Sequence, residues 1–248
     1  MPPQYLDRER IADLLPMEEA ISVMERTFHS LAAGECLQPL RSLMWLPDRT
    51  GILGMIPGYA KGPDSSHLAI LGTGEQAERH IRAISLVRPI EKISIWGRNS
   101  AHAETLARKF KNAQIAPTAK EAINDADIIC TVTASREPIL YGEWLPEGVH
   151  INAVGSCTPS TRELDTAAVL RSRIFTDRYE SLFHEAGEFL IPKKEGLLTE
   201  TDTQAELGEL LVGTKEGRRN AADITLFKSL GIAAEDLFAA HYIFEKLQ

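Results

Sequence analysis

Between His67 and Ala77 the chain reads His-Leu-Ala-Ile-Leu-Gly-Thr-Gly-Glu-Gln-Ala. A short apolar run passes directly into Gly72-x-Gly74-x-x-Ala77, and apolar residues then recur at helical spacing. A strand that turns over two glycines straight into a helix leaves few folds open: it is the first crossover of a parallel sheet. Gly72 permits the tight turn, Gly74 lets the backbone come close to a ligand, and Ala77 lets the helix lie against the strand. The first amides of that helix, with the positive end of its dipole, then face an anion such as a pyrophosphate.

The pattern continues downstream. Residues 68–71 predict a strand and 75–87 a helix; 92–96 a strand and 100–110 a helix; 113–116 a short strand and 118–124 a helix. Asp127–Val132 and His150–Gly155 read as buried strands, and a helix near 163–171 leads to Arg173-Ile174-Phe175-Thr176-Asp177. Strands alternating with helices predict an α/β protein with a Rossmann-like, doubly wound parallel sheet. Residues 178–222 read as helix and loop. Residues 232–247 read as a helix on which Leu237, Phe238, Ala240, His241, Phe244 and Leu247 share a face.

Upstream, Ile11, Leu14, Leu15, Ala20, Ile21, Met24, Phe28 and Leu31 repeat at three and four, which predicts helices over 7–33. Pro16 opens the second of these, Glu18 and Glu19 suit its dipole, and Gly34 stops it. Residues 39–60 read as extended, with a hairpin turn at Pro47-Asp48-Arg49-Thr50-Gly51. The breaker cluster at 60–66 marks a boundary.

Bulk properties exclude several functions. At 248 residues and 44% hydrophobic, the chain has room for one large domain or two small ones. A net charge of −8 argues against binding nucleic acid or an anionic membrane surface. No apolar run reaches the ~18 residues of a membrane span, and the N-terminus lacks the layout of a signal peptide. Cys36, Cys130 and Cys157 are odd in number and form no metal-type pair, which predicts a reduced, cytoplasmic protein without a metal site.

The end of the second strand speaks to the nucleotide. An NAD-selective site places Asp or Glu there, to bond the ribose 2′-hydroxyl. Here the segment is Ile95-Trp96-Gly97-Arg98-Asn99-Ser100. Gly97 removes the charge that would repel a 2′-phosphate, and Arg98 can pair with that phosphate through two bonds. The expected cofactor is NADP(H) in preference to NAD(H).

With these segments stand Asn152-Ala153-Val154-Gly155, Thr161-Arg162-Glu163-Leu164, Glu185-Ala186-Gly187-Glu188, Glu206-Leu207-Gly208-Glu209 and Thr225-Leu226-Phe227-Lys228-Ser229-Leu230-Gly231. Pro39-Leu40-Arg41 and Met55-Ile56-Pro57-Gly58-Tyr59 belong to the same set. In this order and over nearly the whole length, the chain resembles the ornithine cyclodeaminase/mu-crystallin family. The resemblance implies a homodimer. It also implies a Rossmann domain set into a second α+β domain that is built from both chain ends and handles substrate and dimer contacts. The corresponding division is 1–62, 63–205 and 206–248. By position, Glu75 and Gln76 lie at the pyrophosphate, Gly97 and Arg98 at the adenosine ribose, and Thr133, Ala153 and Ser229 near the nicotinamide. Gly72, Thr73, Gly74 and Asn99 complete the set of cofactor-binding candidates. Arg41 matches the arginine that holds a substrate carboxylate.

The chain departs from the family in two places. After Tyr59 the family runs on through strands, a catalytic lysine and a second substrate arginine; here Gly58-Tyr59-Ala60-Lys61-Gly62 jumps to Pro63-Asp64-Ser65-Ser66-His67. The second domain is therefore truncated, and the catalytic residues are left unassigned. Lys61 has no positional match and reads as a solvated loop lysine. After Gly155 the cyclodeaminases carry an aspartate beside the substrate amine, where this chain has Cys157. A thiol does not replace a carboxylate near neutral pH, so reduction of an imine is favoured over cyclodeamination.

Two function classes follow. One is an NAD(P)-dependent enzyme, a ketimine reductase or an amino-acid dehydrogenase or cyclodeaminase, acting on a small amino or imino acid. The other is a non-catalytic NADP(H)-binding protein, or an inactive truncated homologue, whose Rossmann half is intact and whose substrate half is cut. If the cut leaves strands without partners, the Rossmann core is sound and the second domain poorly defined. Three features have plain readings. His150 is a structural histidine, the Glu206–Glu209 run is a helix face, and Lys215–Arg219 is an exposed loop.

Overall fold

The computed structural model describes residues 6–34 and 65–247. The hairpin expected over 39–60, most of the breaker cluster, Cys36, Arg41, Lys61 and the junction after Tyr59 lie outside them. The question of a poorly defined second domain falls on the same residues.

In chain order the elements begin with helices Arg8–Leu14 (α1) and Met17–Ala32 (α2), then strand His67–Leu71 (β1) and helix Glu75–Val87 (α3). Lys92–Trp96 (β2), Ser100–Ala107 (α4), Ala113–Ile115 (β3), Ala119–Ala122 (α5), Ile128–Thr131 (β4) and His150–Ala153 (β5) follow. Next come Thr166–Leu170 (α6), Arg173–Thr176 (β6), Tyr179–Glu185 (α7) and Gly187–Lys194 (α8). The chain continues with Thr203–Glu206 (β7), Leu207–Leu211 (α9), Thr225–Lys228 (β8) and Ala233–Lys246 (α10). Among the described residues the strands form one eight-stranded sheet in the order β3-β2-β1-β4-β5-β8-β6-β7. Its pairings are parallel throughout. The order reverses direction between β1 and β4, as a doubly wound sheet requires.

One short run of sequence covers both faces. Every residue of β1 is buried. Leu68 and Ile70 pack with Ala77, Ile81 and Ile84 of α3 and with Ala103 and Leu106 of α4. Ala69 and Leu71 pack on the opposite side, with Ala119 and Ala122 of α5 and Ala168 of α6. Side chains alternate along a strand, so a continuous apolar run is what a sheet buried on both faces needs.

The N-terminal helices form as the periodicity predicts. Asp7 caps α1 by accepting from the Arg10 amide at 2.8 Å. Gly34, at φ +73°, follows the end of α2. The buried face of α2 is shared between two neighbours. Ala20, Val23 and Met24 meet Ala83 of α3 and Phe238 and Tyr242 of α10. Phe28 and Leu31 join Phe175, Ala205, Leu207 and Phe227 under β6, β7, β8 and α9. The two chain ends thus meet on the flank of the sheet, and Tyr242 and Lys246 both donate to Glu19.

Several expectations are corrected. Residues 178–222 are not only helix and loop, because Thr203–Glu206 pairs with β6 as the edge strand β7. Thr225–Lys228, for which no element was expected, inserts between β5 and β6. It pairs with one strand on each side, and all four of its residues are buried. The acidic run is only partly a helix face: Glu206 ends β7, and with Glu209 it forms a capping box on α9. On α10, Phe238 faces inward as expected, but Leu237 and Phe244 are exposed, and Ala234, Tyr242 and Ile243 are the others that face inward. Arg218 is no free loop residue. It donates to the Asp223 carbonyl, to Thr225 Oγ1 at 3.0 Å and to the Val149 carbonyl at 3.4 Å.

Candidate cofactor site

The site lies at the carboxyl ends of β1, β2 and β4, beside the point where the strand order reverses. In an open α/β sheet that crevice is where ligands bind. Gly72 leaves β1 at φ +138°, and its amide donates to the Trp96 carbonyl at 2.8 Å. A Cβ on Gly72 would stand 2.7 Å from the Val132 carbonyl oxygen, so both conformation and space demand glycine. A Cβ on Gly74, by contrast, would meet nothing within 4 Å. That open space sits directly over the first turn of α3, where a pyrophosphate belongs. Ala77 is fully buried one turn on and brings α3 against the sheet.

A cleft of about 270 Å³ gathers Gly72, Thr73, Gly74, Gly97, Arg98, Asn99 and Thr133. Trp96, Val132 and Ile139 supply apolar wall, and His102 of α4 also lines the cleft. Arg98 is exposed at the rim, and the described residues give it no ion pair. Asn99 is held as the N-cap of α4, accepting from the Ala101 amide at 3.0 Å. Glu75 lines an adjoining cavity of about 460 Å³ together with Arg8, Glu78, His102 and Lys109. Its carboxylate pairs with Arg8 and, at 3.5 Å, with Arg79. Gln76 lies in the first turn of α3, and its carbonyl accepts from the His80 ring at 2.8 Å. The residues fit a dinucleotide: open backbone at a helix start, an apolar slot beside it and a cation where the second strand ends.

The other half of the crevice is built differently. Ala153 ends β5, fully buried, and Ser229 follows β8, its amide bonded to the Ala153 carbonyl at 3.0 Å. Thr133 follows β4 and faces the cleft. Behind these three stands a buried polar cluster that sequence reasoning did not single out. Glu163 is fully buried and accepts from Thr131 Oγ1, from the Thr133 amide and hydroxyl, and from the Gly155 amide. Burial pushes its carboxyl above the ordinary range, and the Thr133 bonds and the Lys228 charge pull it back. Glu188 accepts from the Glu163 amide at 2.9 Å and stands 3.6 Å from Lys228 Nζ. Lys228, also buried, donates to the Ala153 carbonyl at 3.2 Å and to the Ser156 carbonyl. Each of these residues lies in a quoted motif, but a charged residue in a single sequence carries no mark of burial.

Two further groups are settled by their neighbours. His150 Nδ1 lies 2.8 Å from Thr225 Oγ1 and Nε2 lies 3.2 Å from Asn152 Oδ1. Burial brings its pKa down to about 4, so it is a neutral structural histidine. Cys157 is half-buried, with its thiol 3.5 Å from the Val154 carbonyl. Cys130 is wholly buried and its pKa is pushed up to about 12. Among the described residues no cluster of three metal-binding side chains occurs, and no helix is long and apolar enough to cross a membrane.

Comparison with known proteins agrees with this geometry. The family model for the ornithine cyclodeaminase/mu-crystallin family matches residues 48–248. A Δ(1)-pyrroline-2-carboxylate reductase of Bacillus cereus is 38% identical over 220 residues, which cover 86% of this chain and 67% of that protein. The ketimine reductase mu-crystallin of Mus musculus is 37% identical over 186 residues, 75% of this chain and 56% of that protein. Among solved structures, the Δ(1)-pyrroline-2-carboxylate reductase of Thermococcus litoralis, in complex with NADH and L-proline, superposes with a TM-score of 0.89 at 29% identity. It covers 97% of this chain and 96% of that chain. The match of the family model over residues 48–248 and the 38% identity to the B. cereus reductase place this chain in one group: it belongs to the ornithine cyclodeaminase/mu-crystallin family.

Proposed function

We propose that this protein is an NAD(P)-dependent imino-acid reductase, acting on the C=N bond of a small imino acid such as Δ(1)-pyrroline-2-carboxylate. The observation that carries the reading is the cleft at the ends of β1, β2 and β4, in a chain 38% identical to a reductase of that name. The α3 amides at Gly74, Glu75 and Gln76 hold the pyrophosphate. Thr133, Ala153 and Ser229 line the nicotinamide half, and Arg41 grips the substrate carboxylate through two bonds. When bound, the reduced nicotinamide supplies hydride; the protein's part is to orient it and exclude water.

The proposed preference is NADP(H) over NAD(H). Gly97 offers no carboxylate for a ribose 2′-hydroxyl, and Arg98 is exposed at the same corner of the cleft. The proposed assembly is a homodimer. Leu237 and Phe244, one above the other on α10, are 66% and 58% exposed, which is an apolar face suited to a second copy. We assign residues 1–62 and 206–248 to the substrate and dimer part and 63–205 to the cofactor part, with β8 completing the cofactor sheet. The proposed location is the reducing cytoplasm, which suits the buried thiol of Cys130.

A second reading is favoured by one observation: the alignments cover only 67% and 56% of the B. cereus and mouse relatives. The missing part accords with the loss of the catalytic lysine and second arginine after Tyr59. On that reading the chain binds NADP(H) without turnover. Calorimetric titration with NADPH and NADH, then a cofactor-oxidation assay with cyclic imino acids, tests both. Tight NADPH binding with turnover supports the reductase, and binding without turnover supports the second reading. Absence of binding removes both.

A further inference from the structure

Glu163 sits in the loop between β5 and α6, wholly buried, and uses both carboxylate oxygens. Oε2 accepts from Thr131 Oγ1 at 2.8 Å and from the Gly155 amide at 2.8 Å. Oε1 accepts from the Thr133 amide at 2.6 Å and the Thr133 hydroxyl at 2.7 Å. One carboxylate therefore ties the segment leaving β4 to the segment leaving β5. The two segments touch: a Cβ on Gly155 would lie 2.0 Å from the Thr133 carbonyl oxygen and 2.7 Å from Glu163 Oε1. Glu188 holds the Glu163 backbone from behind, and Lys228 carries the chain of contacts on to Ala153 and Ser156. The ends of β4, β5 and β8 are thus joined through buried charge.

Such a cluster is a costly way to fill space, since apolar residues of similar volume pack there without desolvating charge. What four directed bonds achieve, and packing does not, is to set two backbone segments at one spacing. Those segments follow β4 and β5, two and three strands along the sheet from the end of β2 where Arg98 stands, and the first of them borders the glycine turn through Val132. A dinucleotide that spans the crevice, with its adenosine half at Arg98, lays its nicotinamide half over them.

We infer that Glu163 is a positioning residue for the nicotinamide half of the cofactor, acting through Thr133 and Gly155; the inference rests on the dinucleotide reading above. Its loss loosens the seat of one half of the ligand and leaves the other half unchanged. The test is Glu163→Gln, which keeps the shape but turns an amide NH₂ toward a backbone N–H, of Thr133 or of Gly155, that can only donate. Calorimetry then compares NADPH with 2′,5′-ADP, which carries only the adenosine half. The expected result is a loss of about tenfold in NADPH affinity, the scale of one hydrogen bond to a charged group, with 2′,5′-ADP held within about twofold. Parallel loss of both ligands, or loss of neither, overturns the inference. If Glu163→Gln does not fold, Thr131→Val removes one of the four donors from a buried position outside the cleft. It is expected to show the same split at roughly threefold; parallel or unchanged affinities overturn the inference there as well. Wild-type protein that binds 2′,5′-ADP but gains no affinity from the nicotinamide half sinks the inference alone. Wild-type protein that binds neither ligand nor NADH sinks the dinucleotide reading, and the inference with it.

Discussion

Arg98 and His150 show opposite uses of a basic side chain. Arg98 stands exposed at the cleft rim without a described ion pair, so its charge is available to a phosphate. Arg98→Ala is expected to weaken NADPH binding by roughly 10- to 100-fold, the loss of one or two charge-assisted bonds, while NADH binding changes by less than about twofold. Paired calorimetric titrations measure both. His150 is held neutral by burial, with its pKa down at about 4 against an ordinary 6.5. Between those values the unfolded chain binds a proton that the folded chain refuses, so stability is full above pH 6.5 and falls as pH drops toward 4. The slope from this group is about 1.4 kcal/mol per pH unit at most. Glu163 and Asp177, raised by burial, act in the other direction over their own range. His150→Gln isolates the histidine: denaturant midpoints for the variant are expected to fall less steeply with acid than those of the parent. At this scale the structural reading of His150 followed from residue type and place, but the roles of Glu163, Glu188 and Lys228 did not. Nothing in a Thr-Arg-Glu-Leu or Leu-Phe-Lys-Ser string distinguishes a solvated charge from one enclosed by strands far away in sequence.

Elements were legible wherever one local pattern decided them. The β1 run, the glycine turn and the start of α3 form one continuous signal, and the structure reproduces it within a residue. Ala77 tests the close approach that this signal demands. It is fully buried between α3 and the sheet, so Ala77→Leu overfills the contact at an expected cost of about 1–3 kcal/mol and lowers the denaturant midpoint. A neutral result would mean that α3 can slide away from β1, and the pyrophosphate seat would then be less rigid than drawn. The same local reasoning failed for α10. Apolar residues occupy more than one face of that helix, and α2, a neighbour more than 200 positions away, selects Ala234, Phe238 and Tyr242 over Leu237 and Phe244. It failed for β8 too. Four residues ending in lysine make a weak strand signal, and β5 and β6 supply the pairing that makes it one.

At the scale of the whole molecule, α2 links the chain ends to the cofactor sheet. Phe28, among the largest fully buried side chains, contacts the group formed by Phe175, Phe227 and Leu207. Phe28→Ala is expected to cost about 3–5 kcal/mol and to lower the melting of α2 and of β6–β8 together, because one cavity opens between them. Hydrogen exchange resolved by segment measures this: loss of protection in α2 alone would show that the helix and the sheet unfold as separate units.

Read without a fold, the chain determined the alternation of strand and helix, the glycine turn, and the end of β2, where Gly97 takes the place of an acid and Arg98 follows it. Each of these is settled within a few neighbouring residues, by periodicity, by backbone freedom or by charge. Tertiary structure alone decided that β8 enters the middle of the sheet, which face of α10 is covered, and that Glu163, Glu188 and Lys228 are buried together near the ends of three strands. Those outcomes depend on partners distant in sequence, and burial and pairing energies act on whatever side chains the packed chain brings within reach.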